Sequence, residues 1–273
     1  MTPTWYGEAP PPDLPPPGMA GWARIILRGV PLLVLVLGGL LLMLLLRLAE
    51  RPLCGAKRPV TPHITVFVCR SALRILGIRL RVSGEVRQGQ GAVVTNHSSW
   101  LDIFVLNAVK RIYFVSKAEV AGWPGIGWLA RATGTVFIER NRSQAGRQAE
   151  LFRSRLSAGH RLLFFPEGTS SDGQHVLPFK TSLFAAFFAE GLRETLSVQP
   201  VTLVYHAPTG QDPRFFGWWG DMTFGGHFLT VLAFGAGGQA EIICHPPMAV
   251  HSFSDRKSLA AACEKAVRSA HPG

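Results

Sequence analysis

The sequence predicts an α/β protein, one domain with a mixed sheet flanked by helices, preceded by an N-terminal transmembrane helix. Three observations carry this. Between Ile78 and Cys244, short apolar runs alternate with segments whose apolar residues recur at helical spacing, the pattern of strands joined by helices. Gly29 to Leu46 runs 18 residues without a charge, which as helix spans roughly 27 Å, close to a bilayer core. The 273 residues suffice for one sizeable domain plus an appendage, and 47% hydrophobic residues exceed what a soluble domain needs.

Taken in order, residues 1–20 form a tail, because Pro10 to Pro12 and Pro15 to Pro17 favour an extended, solvated chain. A transmembrane helix follows over residues 25–48. A cleaved leader fits less well, since Glu8, Asp13 and many prolines precede the apolar run and no small-x-small site follows it. Arg47, Arg51, Lys57 and Arg58 follow the span with Glu50 alone among them, whereas Arg24 and Arg28 precede it with Glu8 and Asp13. That bias predicts a single pass through the inner membrane with the C-terminal part in the cytoplasm.

Residues 60–77 read as an amphipathic helix with Arg70, Arg74 and then Arg81 on one stripe. Such a helix lies either in the headgroup plane or on the surface of the domain. Strands are expected near 78–83, 92–95, 112–116, 135–138, 161–165, 200–205 and 239–244. Ser143 caps a helix carrying Ala145, Ala149, Phe152 and Leu156 and ended by Gly159. Leu183, Phe184, Phe187 and Phe188 mark another, ended by Gly191. A last helix starts after Ser254 with Leu259, Cys263, Ala266 and Ala270 inward. The aromatic run Phe215 to Met222 reads either as a bilayer-interface contact or as a loop packed over the core.

A formal net charge of +11 points to anionic partners, whether nucleic acid, anionic lipid or an acidic carrier protein. Cys54, Cys69, Cys244 and Cys263 are scattered without metal-ligand spacing, so neither zinc nor a disulfide framework is implied. The chemistry concentrates at Asn96-His97-Ser98-Ser99-Trp100-Leu101-Asp102, which closes the apolar run Ala92 to Thr95. A hydroxyl is a poor nucleophile until a base takes its proton, imidazole titrates near working pH, and a carboxylate can hold the required tautomer. The spacing puts His97 in the loop after a strand and Asp102 in the first turn of a helix. Alone the pair is not specific; a capping loop with an exposed Asp102 has the same sequence. Gly134 to Arg142 sets cations at one strand end, and Phe165-Pro166-Glu167-Gly168-Thr169-Ser170 sets a carboxylate at another, where open α/β sheets hold their ligands.

Together these ordered blocks, with Lys117-Ala118-Glu119, Pro124, Gly127 and Gln199-Pro200-Val201, resemble the glycerolipid acyltransferase superfamily over roughly residues 78–205. Its bacterial members include 1-acylglycerol-3-phosphate acyltransferases. The resemblance implies an acyltransferase domain over 78–273 that moves a fatty acyl group from an acyl carrier protein or coenzyme A thioester to a lysolipid hydroxyl. It implies no metal, no cofactor beyond the thioester cosubstrate, and a membrane rather than nucleic acid as partner. His97 and Asp102 become the catalytic pair. Arg140 becomes the anchor for an anionic headgroup, with Glu139, Glu167, Gly168 and Thr169 shaping the acceptor site; Lys117 and Lys180 are secondary candidates.

Two departures bear on the acceptor. Glu139 stands where the family usually has aspartate. Ser170-Ser171-Asp172-Gly173 follows the Glu-Gly-Thr triplet, where many lysophosphatidate enzymes have arginine, whose fork matches phosphate oxygens as serine cannot. That form, with Trp219-Gly220-Asp221-Met222, resembles lyso-ornithine lipid O-acyltransferases. Lyso-ornithine lipid is therefore the expected acceptor, with lysophosphatidate, alone or beside it, as the alternative. Two other classes fit the sequence less well. A serine hydrolase or thioesterase using Ser98 or Ser99 lacks a Gly-x-Ser-x-Gly elbow, and a noncatalytic binding protein leaves the ordered motifs unexplained.

Overall fold

The computed structural model describes residues 4–13, 16–87, 89, 91–123, 125–138 and 145–273. Its centre is an eight-stranded sheet in the order β1-β7-β6-β2-β5-β3-β4, with β8 (Met248–Ala249) on the free edge of the first residues of β6. The strands are β1 (Arg79–Ser83), β2 (Gly91–Thr95), β3 (Tyr113–Lys117), β4 (Val136–Ile138), β5 (Arg161–Phe164), β6 (Ser197–His206) and β7 (Gln239–Cys244). β2, β3, β4, β5 and β6 run parallel, while β7 and β8 pair antiparallel with β6, so the sheet is mixed as expected. Pro200 sits in this central strand without a clash. Its carbonyl side faces the gap where β6 leaves β8 at Val198 and takes up β7 at Val201, a place where no N–H is required.

Alternation along the buried strands divides two cores. Val93, Leu163, Leu203 and Tyr205 point to the face covered by α1 (Met19–Cys54), α2 (Thr61–Leu76), α3 (Asp102–Val109) and α6 (Phe224–Phe234). Ala92, Val94, Leu162, Phe164 and Val198 point to the face covered by α5 (Ala145–Ser157), α7 (Arg256–Ser269) and a 3-10 helix over Thr181–Phe188. The last was expected as an α-helix. Phe184 and Phe187, three apart and both buried, satisfy either period. α7 starts as expected, with Asp255 accepting from the N–H groups of Lys257 and Ser258, but its inward face runs through Val267, leaving Ala266 and Ala270 half-buried.

α1 contains the expected apolar span, and its outward face exposes Leu27, Val34, Leu41, Leu45 and Leu48. Its other face lies along the domain: Gly29 meets Leu232 of α6, and Gly39 meets Val68 of α2. Near its end Glu50 accepts from the N–H groups of Val60 and Thr61 and from Thr61 Oγ1, so a side chain of α1 caps α2. α2 ends at Gly77, whose φ of 74° supplies the left-handed cap. Cys69, Ala72, Leu73 and Leu76 of α2 are buried, and Arg70 Nε donates to the Ala108 carbonyl at 2.6 Å, so α2 is wedged between α1 and α3. Arg81 belongs to β1, not to the α2 stripe.

Of the two readings of the aromatic run the structure bears out the packed loop, while the tail departs from the solvated chain expected. Phe215, Phe216 and Trp219 are buried, so the aromatic run packs over the core. The proline-rich tail also lies on that run: Gly220 N–H donates to the Trp5 carbonyl at 3.1 Å, and the Trp5 ring is 6.4 Å from that of Trp219.

Candidate active site

β2, β5 and β6 are neighbours and parallel, so their C-terminal ends open on one edge of the sheet. The loop after β2 is fixed by Asn96. Its Nδ2 donates to the Leu203 carbonyl and its Oδ1 accepts the Leu203 N–H, both at 2.8 Å, so a side-chain amide continues the ladder to β6 and sets the turn. His97 follows at the sheet edge.

Asp102, in the first turn of α3, is 0% exposed, which excludes the exposed capping-loop reading. Four donors converge on it. Oδ2 faces His97 Nδ1 at 2.6 Å and accepts the N–H groups of Ser98 at 2.9 Å and Ser99 at 3.2 Å, while Oδ1 accepts Tyr205 Oη at 2.9 Å. The carboxylate assigns the ring proton to Nδ1 and leaves the Nε2 lone pair as the base. The ring stacks on Phe165, centroids 4.0 Å apart, which restrains its tilt. Tyr205 was not foreseen. Burial, with Asp102 adding to it, pushes its phenol well above the usual range and keeps it a donor.

Glu167 is 1% exposed, Oε2 accepting the His97 N–H at 2.9 Å and Oε1 the Leu177 N–H at 2.8 Å. In place of the expected share in the acceptor site, its two oxygens hold the backbone at His97 and at Leu177. Burial pushes its carboxyl well above the usual range, the two N–H groups pull it down, and Asp102 raises it again. The Gly168 φ of 75° turns the chain after β5 so that Gly168, Thr169 and Ser170 line the cleft with His97. Ser170 Oγ donates to the Trp218 carbonyl, and Trp218 N–H donates to the Ser98 carbonyl at 2.8 Å, which stitches the aromatic loop to both motifs. His227, buried on α6, completes the stitching. It accepts Trp100 Nε1–H at 2.8 Å and reaches the Phe215 carbonyl through Nε2; burial lowers it to about 4, so it stays neutral.

The cleft, of about 340 Å3, is walled by Val120, Trp123, Ile138, Phe152 and Leu183, with Lys117 polar beside them. Glu139 and Arg140 lie outside the described residues, as do Asn141, Arg142 and Ser143. The hydroxyls of Ser98 and Ser99 are buried without a hydrogen-bond partner among the described residues, and neither lines the cleft, so neither is set to receive a base from His97.

A family model described as Acyltransferase matches residues 78–204, a stretch that contains His97, Asp102 and Glu167 and ends just before Tyr205. The chain is also 57% identical over 267 residues to the lyso-ornithine lipid O-acyltransferase of Rhodobacter capsulatus, covering 98% of this chain and 96% of that one. The chain belongs to the acyltransferase family. As an acyltransferase it transfers acyl groups other than aminoacyl groups. A 1-acyl-sn-glycerol-3-phosphate acyltransferase of Neisseria gonorrhoeae is 36% identical over 148 residues, 52% of this chain and 55% of that one. The crystal structure of the 1-acyl-sn-glycerophosphate acyltransferase of Thermotoga maritima has the same fold, with a TM-score of 0.56 at 20% identity over 89% of this chain and 95% of that one.

Proposed function

We propose that this acyltransferase moves a fatty acyl group from an acyl carrier protein or coenzyme A thioester to the free hydroxyl of a lysolipid, preferentially lyso-ornithine lipid. The observation that carries the reaction is the 2.6 Å contact of His97 Nδ1 with the buried Asp102, which leaves Nε2 as the base on the cleft side. Nε2 takes the hydroxyl proton as the oxygen attacks the thioester carbonyl. The tetrahedral intermediate then collapses, the carbon–sulfur bond breaks, and the imidazolium returns the proton to the departing thiolate. A lipid substrate suits the apolar cleft wall and its mouth, where Trp123 is 45% exposed and Trp128 nearby is 70% exposed.

The acceptor preference rests on the near full-length likeness to the Rhodobacter enzyme and on Ser170. Ser170 is 8% exposed and spends its hydroxyl on Trp218, where an arginine would instead present a phosphate-binding fork. The ornithine carboxylate would pair with Arg140 and its ammonium with Glu139. Glu167, 1% exposed and bonded to two backbone N–H groups, is not among the residues that line the cleft. The test is an assay of purified enzyme with both lysolipids and both donors at matched concentrations. Lyso-ornithine lipid is expected to lead by at least about tenfold in kcat/KM, roughly 1.4 kcal/mol of transition-state preference. Turnover of lysophosphatidate alone overturns the preference.

For location we propose the inner membrane, with the catalytic domain on the cytoplasmic side where Arg47, Arg51, Lys57 and Arg58 follow the span. The apolar composition supports a single crossing. The contact of Trp5 with Gly220 favours a second reading, in which α1 lies in the cytoplasmic leaflet with the tail and the domain on one side. A Gly18→Cys variant decides between them. Labelling by an impermeant maleimide in intact spheroplast-free cells with a permeabilised outer membrane supports the crossing, and labelling only after lysis supports the in-plane helix.

A further inference from the structure

A large basin lies at the opposite end of the sheet from His97, where β2, β3 and β5 begin. Strands of this length separate the two by roughly 15–20 Å, so the basin does not touch the reacting atoms. Its volume is about 880 Å3, and Lys57, Arg58, Lys110, Arg111 and Arg161 line it with no carboxylate among its described lining residues. The nearest acid on α1, Glu50, is engaged with Val60, Thr61 and Arg47.

These cations are not simply waving in solvent. Arg161 is 5% exposed, and burial followed by its cationic neighbour Arg87 lowers its guanidinium; burial and then Arg47 act the same way on Arg58. At the inner wall stands His160, 4% exposed and stacked on Tyr113 at 4.2 Å. Among the described residues neither ring nitrogen has a hydrogen-bond partner by distance and angle, while the Ala56 backbone favours the charged form. Arg155 Nε and Arg87 Nη1 are likewise buried without partners among the described residues. Burial, then Arg155 and Arg58, lower His160 to about 4, so it waits as a neutral donor. Unpaired buried donors beside a recessed cation cluster cost stability until an acceptor arrives.

We infer that this basin binds the phosphate of an anionic phospholipid headgroup, as an accessory site separate from the catalytic cleft. The phosphate would accept from His160, Arg58 and Lys57, and the acyl chains would leave along α1, where Leu48 is 75% and Leu53 83% exposed just before the basic loop. The concave, recessed shape suits a compact anion; an acidic protein face would meet mainly the exposed Lys57 and Arg111 and leave His160 unsatisfied.

The test uses the full chain in uncharged detergent, with thermal stability followed against dihexanoyl phosphatidylglycerol, dihexanoyl phosphatidylcholine and inorganic phosphate. Saturable stabilisation by phosphatidylglycerol is expected, weakened at least tenfold in apparent Kd in the Lys57→Gln/Arg111→Gln pair and in His160→Phe. The charge-matched pair Arg256→Gln/Lys265→Gln on α7 should bind like the parent, and acyl transfer without anionic lipid should stay unchanged in both pairs. Inorganic phosphate protecting as well as the lipid would overturn the headgroup in favour of a soluble anion. Equal weakening in the α7 pair, no saturable shift, or protection only by an acidic carrier protein would overturn the site.

Discussion

His97→Ala is expected to lower single-turnover acyl transfer by about 10^2 to 10^4-fold while leaving the fold intact, the range a positioned general base contributes. The side chain is 22% exposed and its polar partner among the described residues is Asp102, so its removal leaves the buried carboxylate three donors, from Ser98, Ser99 and Tyr205. Asp102→Asn should cost a comparable amount for a different reason. An amide at this position must point its NH2 at donors on one side or the other, and either choice disturbs the histidine tautomer or leaves backbone N–H groups opposed. Tyr205→Phe removes one of four bonds and leaves the tautomer alone, so a loss of about tenfold or less is expected, from one hydrogen bond to a charged group. Rates for the three variants with saturating thioester, beside their melting curves, check the order. A His97→Ala enzyme within tenfold of the parent would remove the base from the mechanism.

Strands were legible wherever an apolar run stopped at a turn residue, and so was the placement of His97 in a loop and Asp102 in the first helical turn, because both follow from local spacing. Tyr205 was not, since its partner Asp102 lies 103 positions away and only the parallel pairing of β2 with β6 brings them together. α6 escaped because Phe224 to Phe234 is apolar nearly all round, without the polar stripe that marks a surface helix. Glu50 capping α2 and His227 linking Trp100 to the aromatic loop are likewise tertiary facts. Glu167 was legible as a site residue but misread in role. A carboxylate at a strand end suggests a ligand contact, yet whether it faces the cleft or the backbone depends on the turn at Gly168 and the return of the chain at Leu177.

That inward turn makes Glu167→Gln the most informative substitution outside the His97–Asp102 pair. Both oxygens of Glu167 receive backbone N–H groups, one from His97 itself, and a glutamine can accept only one of them; its NH2 must oppose the other. A buried opposed donor costs about 1–3 kcal/mol, so the variant is expected to melt lower. If the amide turns its NH2 toward His97, the base is displaced as well, and kcat should fall more than KM rises. The pH dependence supplies an independent reading. Because the folded carboxyl is held above its ordinary value, the native state binds a proton the unfolded chain releases; the contribution of Glu167 to stability is complete below the ordinary carboxylate pKa and declines as pH rises through the folded value. Glu167→Gln, with nothing to ionise, should lack that decline. The stability gap between parent and variant is therefore expected to narrow toward alkaline pH in chemical denaturation series, and a gap that widens with pH would mean that the carboxylate, stabilised by its two N–H groups, is the preferred native form.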